Sequence, residues 1–212
     1  MRVLAIDCSG PMGSLAVLDA AGVRFYREFD CPRGRGTGVF SVLHEALQSV
    51  SSVDRVVVGT GPGSYNGLRV SIAAAEGFAL ARGVEKVGVL SLTGLNGGDD
   101  FWAVGDARGG VMYVARITGG NLVGEIQVLP TAEAIETVRH GHRGVPIFAP
   151  TPVDGLPEAK VRHPDARRLA QQGACAMPTA QIHPFYAKPV HITSPADGKR
   201  ATLASSARKI GA

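Results

Sequence analysis

Residues 55–82, RVVVGTGPGSYNGLRVSIAAAEGFALAR, form the segment that most restricts how this chain can fold. Three consecutive valines near its start predict a short buried strand, and residues 68–82 have the composition and spacing of a helix. The glycine-rich stretch between them permits backbone angles closed to other residues and lets another segment approach the main chain closely. The segment therefore predicts a strand, a tight loop and a helix. The residues predicted to share the buried face of this helix are Leu68, Ile72, Ala75 and Ala79.

The glycine loop matches neither of two common phosphate-binding signatures. A P-loop has lysine directly after its last glycine, whereas Leu68 follows Gly67 here. The dinucleotide-binding fingerprint has two residues between its second and third glycines, whereas three residues separate Gly63 from Gly67. We therefore predict that the loop serves packing, with Ser64 or Asn66 capping the helix, and we keep anion binding as the alternative.

The sequence GPGSYNGLRVSIAAAEGFALA, residues 61–81, resembles the signature GPGSFTGLRxGxxxAxGLAxA of the TsaB (YeaZ) family. Proteins of that family take part in the threonylcarbamoyladenosine (t6A) modification of bacterial tRNA. Tyr65 replaces the usual Phe and Asn66 the usual Thr, and both replacements keep the character of the site. The sequence DARGGVMYVA, which begins at Asp106, also resembles the family segment DARRGEVYxA.

The order of the predicted elements is similar to that of the actin-like ATPases. Three strands precede a helix at 39–50 and the unit at 55–82, and a second group of three strands follows. We predict an α/β protein with the actin-like ATPase (ribonuclease H-like) fold, in which each of two lobes has a mixed sheet flanked by helices. The second lobe is abbreviated. The predicted domains are residues 1–89, residues 90–192 and a mobile basic tail at 193–212.

The composition excludes few folds or functions. A content of 45% hydrophobic and 19% charged residues is that of an ordinary globular protein, and a net charge of +4 is too small to indicate nucleic-acid binding by itself. Three cysteines without a C-x-x-C spacing predict reduced thiols rather than a disulfide framework or a zinc site. No segment has the length and hydrophobicity of a signal peptide or a membrane span, so we predict a cytoplasmic protein without membrane contact.

Asp7, at the end of the first predicted strand, is the strongest candidate for chemistry. The segment AIDCS resembles the first phosphate loop of the actin-like ATPases, in which a carboxylate at this place helps to hold the metal and nucleotide. The resemblance implies a nucleotide site at Asp7, Ser9, Gly61 and Gly63, and a polar cap of the next turn is the alternative. We predict no cofactor, and ATP or ADP at the interface with a partner is the alternative.

His44 bears on the prediction that the chain is not an enzyme. TsaD, the enzymatic sibling of TsaB, binds its metal through two histidines one turn apart on the corresponding helix, whereas His44 is alone there. No Ser-His-Asp arrangement is evident around Ser64 either. We therefore predict no metal site and no catalytic residue.

The two helices of the first lobe predict an interface. Small residues on the second helix would let another helix approach closely. The resemblance implies pairing with a TsaD-type subunit through these helices, and a homodimer through the same surface when the chain is alone. It also implies a TsaE-type ATPase as a further partner, and tRNA as an indirect partner through the complex. The predicted interface residues are Leu43, Leu47, Leu68, Ala73, Ala74 and Gly77.

The predicted function is that of a non-catalytic scaffold and activator in t6A synthesis, and two alternatives remain. A small ATP-dependent phosphotransferase of the actin-like superfamily is supported by Asp7 and the glycine loops, but no second D-x-G nucleotide loop is evident after Gly98. A glycoprotease, the historical label of this superfamily, would need a metal pair or a triad that the sequence does not show. Tight binding of ATP would favour the first alternative, and peptide cleavage the second.

Overall fold

The computed structural model describes residues 1–31 and 38–188. Its N-terminal half contains a mixed sheet of five strands. Its strands lie in the order β3-β2-β1-β4-β5. The first three make an antiparallel meander, and β4 and β5 extend the sheet in parallel with β1. The strands are β1 (Val3–Asp7), β2 (Met12–Asp19), β3 (Gly22–Asp30), β4 (Arg55–Gly59) and β5 (Glu85–Val89).

The second sheet repeats this topology. Its order is β10-β9-β6-β7-β8, with an antiparallel meander followed by two strands that run parallel to the first strand of the meander. The last two strands have only three and two residues, so the repeat is abbreviated, as predicted. The strands are β6 (Phe101–Asp106), β7 (Val111–Thr118), β8 (Asn121–Pro130), β9 (Ile147–Ala149) and β10 (Lys160–Val161).

Helices cover both faces of the first sheet. The described residues contain four α-helices, α1 (Gly38–Ser49), α2 (Tyr65–Arg82), α3 (Thr131–Gly141) and α4 (Ala166–Cys175), and a 3₁₀ turn follows β5 at Ser91–Gly94. Strand residues alternate between the two faces, so Leu4 and Ile6 pack against α1 and α2 whereas Val3 and Ala5 pack against α4. Burial of both faces explains why β1 and β4 are apolar throughout their central residues.

Helix α4 packs against the first sheet although it lies at residues 166–175, within the predicted second lobe. Leu169 and Ala170 contact the core beneath β1 and β4. Gly173 makes this approach possible, because a Cβ there would lie 2.3 Å from Val57 Cγ2. The C-terminal part of the described chain therefore returns to the N-terminal half. The lobe boundary near Val89 stays a prediction, and the tail predicted at 193–212 lies outside the described residues.

Helix α2 confirms the apolar face predicted from its spacing. Leu68, Ile72, Ala75 and Ala79 are all buried against the first sheet or the loop before the helix. The helix begins at Tyr65, three residues earlier than predicted, because Ser64 is its N-cap and accepts a hydrogen bond from the Gly67 N–H at 3.3 Å. Within residues 1–31 and 38–188, none of the helices combines the length and the hydrophobicity that a bilayer crossing requires.

Candidate functional site

The glycine loop between β4 and α2 lies directly on the turn that follows β1. The Ser64 N–H donates a hydrogen bond to the Ser9 carbonyl oxygen at 2.7 Å. A Cβ at Gly63 would lie 2.2 Å from that oxygen, and a Cβ at Gly67 would lie 1.9 Å from the Cys8 carbonyl oxygen. Both distances are far below contact distance, so these positions require glycine for packing of one backbone segment on another.

The Asp7 carboxylate joins three segments at this point. Its Oδ1 accepts hydrogen bonds from the Ser9 N–H at 2.8 Å and the Ser9 hydroxyl at 2.7 Å. Its Oδ2 accepts from the Ser91 hydroxyl at 2.6 Å, and the Ser91 oxygen in turn accepts from the Gly61 N–H at 2.8 Å. The network therefore ties the end of β1 to the glycine loop and to the 3₁₀ turn after β5.

Asp7 has no exposed surface. Burial raises the pKa of its carboxyl group above the ordinary value, and the hydrogen bonds from Ser91 and Ser9 oppose that rise. Gly59 allows the carboxylate to fit, because a Cβ there would lie 1.8 Å from Asp7 Oδ2. The arrangement is a polar network inside the chain, in which each carboxylate oxygen already has a donor.

The four residues predicted for a nucleotide come together in this network. Asp7, Ser9 and Gly61 are buried, whereas Gly63 is exposed. The N–H groups of Gly61 and Ser64 are already used within the chain. Nucleotide binding stays a prediction, and these internal bonds give the residues a structural role that the sequence also allowed. The sequence did not predict that Ser91 belongs to this network, because nothing in the sequence around Ser91 indicates a partner for Asp7.

The structure corrects part of the predicted interface. Leu68 has no exposed surface and Ala74 is 8% exposed, so both side chains pack inside the chain rather than against a partner. Leu43 and Leu47 are half-buried and pack against the core of the first sheet. Of the predicted interface residues, only Ala73 and Gly77, on the face of α2 opposite the core, are exposed.

His44 is exposed on α1. Across the two described ranges of the chain, no three His, Cys, Asp or Glu side chains are grouped closely enough to hold a metal ion. The cysteines are free thiols: Cys8 is buried, Cys31 is half-buried and Cys175 is exposed. The Cys8 and Cys31 thiols are hydrogen-bonded to each other, which lowers the pKa of Cys31 and raises that of Cys8.

Replacement of Asp7 by Asn should remove a pH-dependent loss of folding stability. Because the pKa of Asp7 is raised in the folded chain, the wild type should lose stability as pH rises from the ordinary Asp value through the folded value. The Asp7→Asn protein lacks this titration, so its free energy of unfolding should rise relative to the wild type over that window and then level off. Urea denaturation of both proteins from about pH 3.5 to about pH 8 measures the difference.

Asp19→Asn provides the control of opposite sign. The hydrogen bond from Arg24 lowers the pKa of Asp19, so the wild type should gain stability relative to this variant as pH rises through the ordinary Asp value. A pH-independent difference for Asp7→Asn would show that burial does not raise the pKa of the Asp7 carboxyl in the folded chain.

Comparison with solved structures defines the class of protein first. A protein of Pseudomonas aeruginosa described as similar to peptidase YeaZ superposes with a TM-score of 0.71 at 22% identity, covering 88% of this chain and 99% of that one. YeaZ from the same organism superposes with a TM-score of 0.63 at 24% identity, covering 79% and 88%. Together with the two repeated mixed sheets, these matches confirm the predicted actin-like α/β fold.

Sequence comparison then shows which proteins this chain is similar to. Residues 38–119 match the family model of TsaD, the tRNA N6-adenosine threonylcarbamoyltransferase. The tRNA threonylcarbamoyladenosine biosynthesis protein TsaB of Escherichia coli is 31% identical over 126 residues, which are 54% of each chain. An uncharacterised protein of Mycobacterium tuberculosis is 38% identical over 126 residues, 56% of this chain and 60% of that one. Over these residues the chain is similar to proteins of the TsaB (YeaZ) family, and the alignments span little more than half of the relatives' length.

Proposed function

We propose that this chain is a non-catalytic subunit in the synthesis of t6A in tRNA, where it binds and activates a TsaD-type transferase. The name of the E. coli relative and the TsaD family model support the pathway. The observation that supports binding of a partner is the exposed apolar face of α2, which lies within the residues that match the model.

That face has the properties of a helix-packing surface. Ala73 and Gly77 are exposed and small, and nothing lies within 4 Å of a Cβ built at Gly77. Leu80, on the same side one turn further, is 87% exposed. The amphipathic pattern expected of a surface helix would place charged residues here, whereas from 70 to 81 the sole charged residue is Glu76, which pairs with Lys86 at 2.9 Å. A helix of a second protein could therefore approach closely.

Helix α1 packs on the same core as α2 and also has exposed side chains. Phe40 is 54% exposed and His44 is exposed one turn later, while Leu43 and Leu47 fill the space between the helix and the sheet. Large exposed apolar side chains are typical of a surface that a partner covers. We propose a TsaD-type subunit as that partner, and a second copy of this chain as the occupant when the subunit is absent.

The same proposal includes further components. A TsaE-type ATPase joins the assembly, tRNA is modified by the TsaD-type subunit, and ATP or ADP is held where the subunits meet. Catalytic inactivity of this chain alone is part of the proposal. It fails if the purified chain transfers threonylcarbamoyl to tRNA without a TsaD-type subunit. Tight ATP binding by the isolated chain, measured by calorimetry, would instead favour the phosphotransferase.

Ala73→Arg should abolish the complex with the TsaD-type protein of the same organism. Size-exclusion chromatography with light scattering should show a one-to-one complex for the wild type and separate proteins for the variant, because a long charged side chain separates the helices. We expect the dissociation constant to rise at least about tenfold, since disruption at the centre of an interface typically costs about 2 kcal/mol or more.

Ala132→Arg is the matched control, because Ala132 is also an exposed helical alanine but lies on α3. It should leave the complex intact. A complex that survives Ala73→Arg would place the interface elsewhere. Absence of any complex with the wild type at micromolar concentration would overturn the scaffold function itself.

A further inference from the structure

Aromatic and basic residues from three distant segments lie near the N-terminal end of α2. One segment is the first turn of α2, one is the chain at 185–188, and one is the turn between β6 and β7. We call this group the aromatic–basic surface, and its members are Tyr65, Arg69, Arg108, Phe185, Tyr186 and Lys188. It adjoins the Ala73–Leu80 face of α2, because Arg69 precedes Ala73 by one helical turn.

The aromatic rings of this surface are held in place. The Tyr65 and Tyr186 ring centroids are 5.1 Å apart with an interplanar angle of 36°. Arg69 Nη1 donates a hydrogen bond to the Tyr65 hydroxyl at 2.9 Å, and its Cζ lies 5.2 Å from the Tyr65 ring centroid. The side chains therefore form a platform that is already ordered before a ligand arrives, which lowers the entropic cost of binding.

The backbone at 185–188 is also fixed. The Phe185 N–H donates to the Thr60 carbonyl oxygen at 2.7 Å, directly before the glycine loop. Lys188 Nζ donates to the Arg108 carbonyl oxygen at 3.4 Å, which joins this segment to the second sheet. The Phe185 ring nevertheless remains 38% exposed. Aromatic faces are thus presented to solvent from a backbone that is anchored on both sides.

The cations of this surface lack the carboxylate partner that most other described Arg and Lys side chains have. Among the residues that the structure describes, Arg and Lys side chains elsewhere commonly pair with Asp or Glu, as Arg24 does with Asp19. Arg69, Arg108 and Lys188 have no carboxylate within ion-pair distance in the same described residues. The nearby Asp106 accepts a hydrogen bond from the backbone N–H of Arg108 at 2.7 Å. Positive charge is therefore left uncompensated beside exposed aromatic rings.

The sequence beyond Lys188 also carries a net positive charge. It contains the basic residues Lys199, Arg200, Arg208 and Lys209 and one acidic residue, Asp197. A modest net charge for the whole chain thus conceals a concentration of positive charge towards this end.

We propose that the aromatic–basic surface binds single-stranded RNA directly. Exposed aromatic rings stack with bases of any sequence, and unpaired cations contact phosphates. A protein partner could also use aromatic and arginine side chains, but it would be expected to bury an apolar centre, whereas this surface is rimmed by free cations. The inference concerns the isolated chain, so it stands or falls independently of pairing with a TsaD-type subunit.

The test is binding of the full chain to a fluorescein-labelled single-stranded RNA of about 12 nucleotides, followed by fluorescence anisotropy at several salt concentrations. Tyr186→Ala should weaken binding about tenfold, whereas Tyr186→Phe should keep most of the affinity because the ring remains. Lys188→Gln should weaken binding and reduce the slope of log K against log salt by about 0.7, the value for removal of one phosphate contact on a single strand.

Lys160→Gln is the matched control, because Lys160 is exposed on β10 and also has no partner among the described carboxylates. It should leave affinity unchanged. Thermal melting of each variant confirms folding. The proposal is overturned if RNA does not bind at micromolar concentration, if Lys160→Gln weakens binding as much as Lys188→Gln, or if Tyr186→Ala has no effect. It is also overturned if Tyr186→Ala impairs only the complex with the TsaD-type protein, which would identify a protein-binding surface.

Discussion

Gly67→Ala should lower the free energy of unfolding by about 3 kcal/mol or more, the upper range for overpacking of a close contact. The added Cβ would lie 1.9 Å from the Cys8 carbonyl oxygen and 3.3 Å from Ser64 Cβ. A carbonyl of the main chain cannot rotate away as the end of a flexible side chain can. Relief therefore requires that α2 separate from the turn after β1, which breaks the hydrogen bond from Ser64 to Ser9 and disturbs the Asp7 network.

Gly77→Ala is the matched control within the same helix. A Cβ at this position meets nothing within 4 Å, so the substitution adds no clash. Replacement of glycine by alanine inside a helix should instead raise the free energy of unfolding by about 0.5–1 kcal/mol. Urea denaturation of the two variants separates the effects. Equal and small changes in both would show that the contact between the glycine loop and Cys8 is looser than the structure indicates.

The sequence predicted the elements of the first half well because their signals are local. Alternating and β-branched runs defined the strands, and the apolar spacing of α2 defined its buried face. The duplication of a meander followed by parallel strands could also be predicted, since both copies use the same order of elements. These features depend on neighbours in sequence, which a single chain displays directly.

What could not be predicted depends on contacts between distant residues. Ser91 completes the Asp7 network from 84 positions away, and Tyr186 reaches Tyr65 from the far end of the described chain. The interface prediction failed at Ala74 for another reason. Alanine occupies both the buried and the exposed faces of α2, so small size alone could not tell Ala74, which is buried, from Ala73, which is exposed.

Arg55→Met should have the second large effect, a decrease of about 3 kcal/mol in the free energy of unfolding, as expected when buried carbonyl oxygens lose their hydrogen-bond donor. Arg55 lies at the start of β4 and is 8% exposed. Its Nη1 donates to the carbonyl oxygens of Gly173 and Ala174 at 2.9 Å and of Ala176 at 3.0 Å. These carbonyls belong to the C-terminal end of α4, where the last carbonyl oxygens of a helix have no donor among its own N–H groups.

The Arg55 side chain therefore performs the capping that α4 lacks in its own sequence, and it attaches that helix to the first sheet. Methionine fills similar space but donates no hydrogen bond, so the three carbonyls are left without their donor. Hydrogen exchange should accelerate more in α4 than in β1, because the hydrogen bonds that the substitution removes all lie at the end of α4.

Glu85→Gln separates this capping role from the ion pair of Arg55. Glu85 Oε2 accepts from Arg55 Nε at 3.0 Å, but the Glu85 side chain is 54% exposed, so water screens the pair. The substitution should cost less than about 1 kcal/mol and leave exchange in α4 unchanged. If Glu85→Gln instead destabilises the protein as much as Arg55→Met, the ion pair holds Arg55 in place and the carbonyl contacts are secondary. If neither substitution has an effect, α4 is held to the sheet by the packing of Leu169 and Ala170 alone.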